Sequence, residues 1–250
     1  MPSCRCVSTK QFKIFMQSVK KSVIIIIGPP GSGKGTQAEL LANKLGCYYF
    51  ETARILENIV MNAAAEKFKI VEGKKYFFGE QKKKWETGKL MDSSIVTVWV
   101  NEKIQELAND NQNLVIAGSP RTLYEAEKVM PVLEKLYKKN NIKTIFFTLP
   151  EKESLFRNSH RRICELMRHP VLFNKDTQNL KTCPLDGSKI IERKKLDDPE
   201  TIKKRLRVYA EETIPVINYL KKHKFSVKNV SAKPAPSVIF ANILKALNVK

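Results

Sequence analysis

The sequence predicts an α/β fold in which helices flank both faces of a parallel sheet and two segments are inserted into the core. Short apolar runs alternate with amphipathic stretches, which is typical of such a sheet. A glycine-rich loop joins the first run directly to a helical pattern, and two polar segments, 52–92 and 161–195, interrupt the alternation. The predicted strands are 23–27, 114–117, 144–148 and 225–227.

The two interrupting segments differ in character. Alternating residues on both sides of Glu72-Gly73 predict a hairpin over 68–78 in the first segment. The second segment is rich in polar and turn residues and holds two cysteines. Ligands of parallel α/β sheets bind beyond the carboxyl ends of the strands, so we expect both segments to lie over a site there.

Length and composition indicate one core over residues 22–250 with insertions. The chain has 250 residues, of which 42% are hydrophobic and 28% are charged. No segment contains the roughly 20 apolar residues needed to cross a bilayer, and we expect no membrane association. Five scattered cysteines do not form the framework of a small secreted domain. We therefore expect a cytoplasmic protein.

The net charge of +20 attracts polyanions, which include nucleic acids, acidic membranes and nucleoside triphosphates. Much of the excess is lysine in helical stretches, where a solvated face is the simpler interpretation, so we do not expect nucleic-acid binding. Residues 1–21 form a basic arm with five cations, no acid and no secretory apolar stretch. Three interpretations stay open: a disordered arm, an organellar transit peptide, or an extension upstream of a true start at Met16.

The segment Gly28-Pro-Pro-Gly-Ser-Gly-Lys-Gly-Thr36 is a phosphate-binding loop and predicts a P-loop NTPase fold. Its glycines let successive backbone N–H groups point at phosphate oxygens. Lys34 adds a cation near the β and γ phosphates, and the Thr36 hydroxyl lies near Mg²⁺ that accompanies ATP. The predicted ATP-binding residues of the loop are Gly31, Ser32, Gly33, Lys34, Gly35 and Thr36.

The Gly-Lys-Gly-Thr ending of this loop resembles the adenylate kinase branch of the nucleoside monophosphate kinases. The resemblance extends from about residue 23 to the carboxyl end. It implies a monomeric enzyme that transfers a phosphoryl group reversibly from ATP-Mg²⁺ to AMP. It also implies that segment 52–92 binds the monophosphate and that segment 161–195 forms a lid.

Phosphoryl transfer requires cations that neutralise charge on the moving group, and arginines fork onto phosphates well. Segments 118–122, 157–162 and 197–205 resemble those with which the family holds the acceptor, enters the lid and leaves it. The resemblance assigns the catalytic role to Lys34, Arg121, Arg161 and Arg205, with Arg157 and Arg161 on ATP. It assigns AMP binding to Thr52, Lys89, Leu90, Gly118, Arg121, Glu125, Lys195 and Arg205.

Several acceptor-side positions depart from the family. Arg54 and Ala117 stand where relatives have acids that hold the water shell of Mg²⁺, which leaves reduced activity open. Glu57 replaces an arginine for the acceptor phosphate, and Glu125 replaces the glutamine that reads adenine. Two alternatives therefore remain: a kinase for another monophosphate such as CMP or UMP, and a nucleotide-binding protein with a regulatory or nucleic-acid role and little turnover.

The second inserted segment contains a candidate zinc site. Cys164, His169, Cys183 and Asp186 form a C-x₄-H-x₁₃-C-x₂-D arrangement. The position resembles the zinc-binding lid of some adenylate kinases, although Met167 occupies the place of the second ligand there. Either His169 substitutes from its longer spacing or the site is incomplete. Any zinc would be structural, because the family's chemistry uses Mg²⁺.

Overall fold

A five-stranded parallel sheet lies at the centre of the computed structural model, which describes residues 21–87, 89–168, 170–192 and 197–249. Predictions made for residues 1–20, His169 and Lys195 fall outside these ranges. In chain order the strands and α-helices are β1 (Val23–Ile27), α1 (Lys34–Leu45), β2 (Tyr48–Glu51), α2 (Thr52–Met61), β3 (Phe68–Val71), β4 (Lys74–Phe77), α3 (Phe78–Glu86), α4 (Ser93–Asn109), β5 (Leu114–Ala117), α5 (Leu123–Tyr137), β6 (Ile142–Thr148), α6 (Glu151–Ser159), β7 (Arg162–Cys164), β8 (Pro170–Val171), β9 (Ile190–Glu192), α7 (Pro199–Val208), α8 (Ile214–Lys222), β10 (Ser226–Ser231) and α9 (Pro236–Leu247).

The central sheet has the strand order β10-β6-β1-β5-β2, with every neighbouring pair parallel. Strand β1 occupies the middle, and Val23 pairs with Leu114 on one side and with Ile142 on the other. All five of its residues are buried, as expected for a β-branched run in a sheet covered on both faces. The predicted α/β fold is therefore confirmed.

Helices cover both faces of this sheet. One face packs against α4, α5 and α8 through residues such as Trp99, Leu133 and Ile217. The other face packs against α1 and α9, where Leu41 and Ile243 are buried. With both faces closed, the carboxyl ends of the strands and the loops that follow them remain available for a ligand.

The first inserted segment contains α2, a β-hairpin and α3. In the hairpin, Phe68 pairs with Phe77, and the two turn residues, Glu72 and Gly73, have φ angles of 52° and 78°. Two consecutive left-handed residues form the turn that matches the twist of a two-residue hairpin loop. The predicted hairpin is confirmed. At its tip, the Glu72 carboxylate accepts a hydrogen bond from the Tyr124 hydroxyl of α5 at 3.2 Å.

The second inserted segment forms a small antiparallel sheet in the order β8-β7-β9. This sheet contains Cys164 at the end of β7, and a turn stabilised by a backbone bond from Cys183 N–H to the Ser188 carbonyl lies beside it. In the described part of the chain, no helix combines the length and the apolar character needed to span a membrane.

Candidate active site

The phosphate loop lies between the buried end of β1 and the first turn of α1. Gly33 precedes α1 with a φ of 78° and supplies no side-chain cap, so the first N–H groups of the helix remain available for an anion. Lys34 Nζ donates to the carbonyl oxygens of Gly28 and Pro29, each at 2.8 Å. Within the described ranges, the buried Ser32 hydroxyl has no hydrogen-bond partner. The loop therefore presents unused donors around a lysine.

Helix α6 supports this loop from behind. The Ser154 hydroxyl donates to the Pro30 carbonyl at 2.6 Å, and the buried Asn158 amide donates to the Ser154 carbonyl at 2.7 Å. A Cβ atom at Gly31 would lie 2.5 Å from Asn158 Nδ2, and one at Gly28 would lie 2.6 Å from Phe147 Cβ. These close approaches explain why the loop needs glycine at both positions.

Three arginines surround the lysine of the loop. Burial holds the pKa of Lys34 well below its usual value, and the positive charges of Arg121, Arg205 and Arg161 lower it further. The four cations predicted to be catalytic thus lie within electrostatic reach of one another. Such a concentration of positive charge is unfavourable unless a polyanion binds there.

Asp197, for which the sequence indicates no role, partly offsets this charge. Its buried carboxylate lies 3.8 Å from Nη1 of Arg161 and 3.5 Å from Nη1 of Arg205. Arg161 also donates from Nη2 to Asn158 Oδ1 at 2.7 Å. The next residue, Asp198, caps α7 by accepting from two backbone N–H groups. One residue of this acidic pair therefore starts the helix, and the other holds two arginines.

An open cleft lined by Arg121 lies between α2 and the loop that follows β5. Its walls combine apolar side chains with a few polar groups at one end. Among the described residues, the buried Thr52 hydroxyl, which lines this cleft, has no hydrogen-bond partner. The lining residues are Thr52, Ala53, Leu56, Trp85, Lys89, Leu90, Met91, Val96, Gly118, Arg121 and Glu125. Every described residue predicted for AMP binding except Arg205 lines it.

Arg121 and Glu125 are linked within this cleft. Arg121 Nε donates to the Gly118 carbonyl at 2.7 Å, and the backbone N–H of Arg121 donates to Glu125 Oε2 at 2.7 Å. The Thr213 hydroxyl donates to the Arg121 carbonyl at 2.8 Å and fixes the same turn. Burial lowers the pKa of Arg121 and raises that of Glu125, and their opposite charges oppose both shifts.

Arg157 lies on α6, with its guanidinium bound to the protein itself. Nε donates to Glu153 at 2.7 Å, Nη1 to the Ala232 carbonyl at 2.8 Å, and Nη2 to the Lys233 carbonyl at 2.9 Å. These bonds join α6 to the loop after β10. Arg157 is not among the charges that lower the pKa of Lys34, and its predicted contact with ATP stays a prediction.

Comparison with known proteins gives the family. A family model described as adenylate kinase matches residues 26–225. The chain belongs to the adenylate kinase family. It is 33% identical over 228 residues to an adenylate kinase of Chlamydia pneumoniae, covering 91% of this chain and 98% of that protein. It is 31% identical to an adenylate kinase of Clostridium perfringens, with 90% and 97% covered, and 30% identical to one of Methanothrix thermoacetophila, with 90% and 98% covered.

Two departures from the adenylate kinase pattern, Arg54 and Ala117, lie near the end of β2. The sheet register places Glu51 beside Ala117, the position at which the family's acid is lost. Burial raises the pKa of Glu51, and the positive charge of Arg54 opposes that shift. A carboxylate, that of Glu51, therefore lies on the strand next to Ala117.

The small antiparallel sheet of this adenylate kinase and the turn beside it bring together three of the four predicted metal ligands. One ligand atom from each of Cys164, Cys183 and Asp186 lies within 4.8 Å of the others. Cys164 Sγ donates to Asp186 Oδ2 at 3.0 Å, and this bond, with those from Ser188, holds the pKa of Asp186 well below its usual value. Two thiols and a carboxylate are a donor set that suits Zn²⁺.

Proposed function

We propose that this chain is an adenylate kinase that transfers the γ-phosphoryl group of ATP-Mg²⁺ to AMP and forms two ADP, reversibly and without a covalent enzyme intermediate. One observation carries the proposal. Lys34 lies in a phosphate loop within electrostatic reach of Arg121, Arg161 and Arg205, and Arg121 also lines the adjacent cleft. A charged group that passes between two nucleotides requires cations at that junction.

On the donor side, we assign the triphosphate to the phosphate loop. Backbone N–H groups and the Ser32 hydroxyl, which has no partner among the described residues, would receive its oxygens, and Thr36 would offer its hydroxyl to the Mg²⁺ that arrives with ATP. The Lys34 ammonium exchanges its carbonyl contacts for the β and γ phosphates. Because those phosphates are negative, ATP binding raises the depressed pKa of Lys34 and keeps it protonated during transfer.

The arginines act on the moving group. In a loose transition state the charge is spread over three equatorial oxygens, and each arginine offers two parallel donors to them. Before substrate arrives, Asp197 limits the repulsion between Arg161 and Arg205. The phosphates then supply the larger negative charge, and the arginines stabilise that charge as it spreads over the equatorial oxygens in the transition state.

On the acceptor side, we assign the AMP phosphate to Arg121, Thr52 and Lys195. The free Thr52 hydroxyl supports this assignment. Leu56, Trp85 and related apolar side chains form a wall suited to a base. Segments 52–92 and 161–195 would act as the monophosphate-binding part and the lid, and their closure would exclude water that hydrolyses ATP.

We also propose a structural Zn²⁺ held by Cys164, Cys183, Asp186 and His169. It would stabilise a small sheet that has little apolar core of its own, and it takes no part in the transfer. For the whole chain we propose a monomeric protein of the cytoplasm.

A coupled assay with AMP, CMP, UMP and GMP as acceptors tests the function. AMP is expected to be the preferred acceptor. Arg205→Lys should lower kcat by about 100-fold because lysine lacks the fork, whereas Arg207→Lys, on the exposed side of the same helix, should not. ATP binding without turnover of any monophosphate would refute the proposed kinase activity. A preference for CMP or UMP would instead show that the acceptor is another nucleoside monophosphate.

A further inference from the structure

Glu125 is a carboxyl group buried in the wall of the acceptor cleft. Only 4% of the residue is exposed, although ionisable side chains are rarely buried to this extent without a partner of opposite charge. It belongs to α5, directly behind the turn that carries Arg121. The inference that follows rests on the proposed function, because it concerns how this cleft selects the base of the acceptor.

The contacts of Glu125 leave its carboxyl group without a close counter-ion. Oε2 accepts the backbone N–H of Arg121 at 2.7 Å and the hydroxyl of Ser119 at 3.4 Å. The guanidinium of Arg121 instead directs Nε to the Gly118 carbonyl. Across the described residues, no lysine or arginine side-chain nitrogen lies within 4.0 Å of a Glu125 carboxyl oxygen, the distance that an ion pair requires.

The other residues around the Glu125 carboxyl group are mostly uncharged. Among the residues that line the cleft, only Arg121 and Lys89 also carry a charge, and the facing part of α2 contributes Thr52, Ala53 and Leu56. Ser93, at the start of α4, offers a further hydrogen bond. Burial disfavours the carboxylate, whereas the hydrogen bonds from Arg121 N–H, Ser119 and Ser93 and the charge of Arg121 favour it; burial is the largest of these effects, so the pKa of Glu125 is raised towards the neutral acid.

A neutral carboxylic acid has the hydrogen-bonding pattern of a carboxamide, with one donor and one acceptor. Adenine presents a matching edge: its N1 accepts and its N6 amino group donates. A carboxylate has two acceptors and no donor. It therefore complements guanine, whose N1 and N2 both donate, and it repels the lone pair of adenine N1.

We propose that Glu125 selects the acceptor base through its protonation state, with the neutral acid donating to N1 of adenine and accepting from N6. In the ionised state the same side chain accepts from N1 and N2 of guanine. Glu125 thus contacts the base and determines specificity.

The pH dependence follows from this assignment. Burial raises the pKa of Glu125, and the Arg121 backbone N–H and guanidinium charge oppose the rise. Below that pKa, AMP meets the neutral acid and its affinity is constant. Above it, a proton must be taken up for AMP to bind, so AMP affinity falls by up to about tenfold per pH unit. GMP, which favours the carboxylate, gains relative to AMP over the same range.

The experiment measures KM for AMP and for GMP between about pH 7 and about pH 9.5, above the pKa of about 6 of the nucleotide phosphate. Calorimetry of AMP binding in two buffers with different ionisation enthalpies counts the protons taken up. Glu125→Gln retains one donor and one acceptor but does not titrate. Glu127→Gln is the matched control, because Glu127 is exposed on the same helix.

The proposal expects the KM for AMP to rise more steeply with pH, and with more proton uptake, in the native protein and in Glu127→Gln than in Glu125→Gln, because any uptake by Lys34 is common to all three. Identical pH profiles and equal uptake in the native protein and Glu125→Gln would overturn it. If no monophosphate is phosphorylated at any pH, the proposed function itself fails. AMP turnover with identical profiles refutes only the role of Glu125.

Discussion

Two glycines of the phosphate loop have nearly the same backbone torsion but different surroundings. The φ angle is 75° at Gly31 and 78° at Gly33. A Cβ atom at Gly31 would lie 2.5 Å from Asn158 Nδ2 and 3.2 Å from the Ser154 carbonyl, whereas one at Gly33 meets no atom within 4 Å. Substituting alanine at each position therefore separates backbone strain from steric conflict.

The expected loss of stability differs between the two variants. Left-handed backbone costs alanine about 1–2 kcal/mol at either position. At Gly31 the conflict adds about 1–3 kcal/mol, because Asn158 is fully buried and its amide is held by Ser154. Urea unfolding, with free energies extrapolated to water, should therefore show Gly31→Ala to be the less stable variant by that added amount.

A third glycine supplies the control. Gly73 has a φ of 78°, is open on all sides and lies in the hairpin turn, far along the chain from the loop. Gly73→Ala should lose as much stability as Gly33→Ala, but only Gly33→Ala should weaken ATP binding, since its methyl group enters the space assigned to phosphate. Equal stability of Gly31→Ala and Gly33→Ala, within about 0.5 kcal/mol, would refute the packing of α6 against the loop.

Three further changes test other contacts. Asp197→Asn should destabilise the nucleotide-free protein by about 1–3 kcal/mol, because two arginines lose a counter-ion; calorimetric unfolding should show a smaller loss with ATP-Mg²⁺, and an equal loss would contradict the counter-ion role. Thr213→Val removes the hydrogen bond to the Arg121 carbonyl and should weaken AMP binding by about 1 kcal/mol. The KM for AMP should therefore rise, and the KM for ATP should stay unchanged. Cys183→Ser should lower zinc from about one ion per chain in elemental analysis, and chelation should lower the Tm of the native protein only.

The fold was predictable from the sequence wherever residues are buried on both faces. Strands β1 and β5 have the predicted bounds, since each is a continuous apolar run. Strand β2 was missed because it is a four-residue edge strand in which only Phe50 is fully buried. Strand β10 was predicted as 225–227 but spans Ser226–Ser231, since polar residues alternate along this exposed edge.

The site divides in a similar way. The phosphate loop has a local pattern, so Lys34 was assigned from its neighbours alone. Asp197 and Thr213 act on residues that lie elsewhere in the chain. Thr213 and Arg121, for example, are 92 positions apart, and no local spacing indicates such a contact. Glu125 was assigned to AMP binding and noted as a departure from the family, but its burial could not be predicted because it depends on packing.

The hydrogen bond from Ser154 to Pro30 makes α6 and the phosphate loop parts of one rigid unit. Strand β7 begins at Arg162, only three residues after α6 ends. If the small sheet moves as the lid proposed above, residues 160–161 form its entry hinge. Arg161 would then be displaced least in the moving part, so its cation would stay near the phosphates while the far end of the sheet, which would move further, would set how fast nucleotides enter and leave.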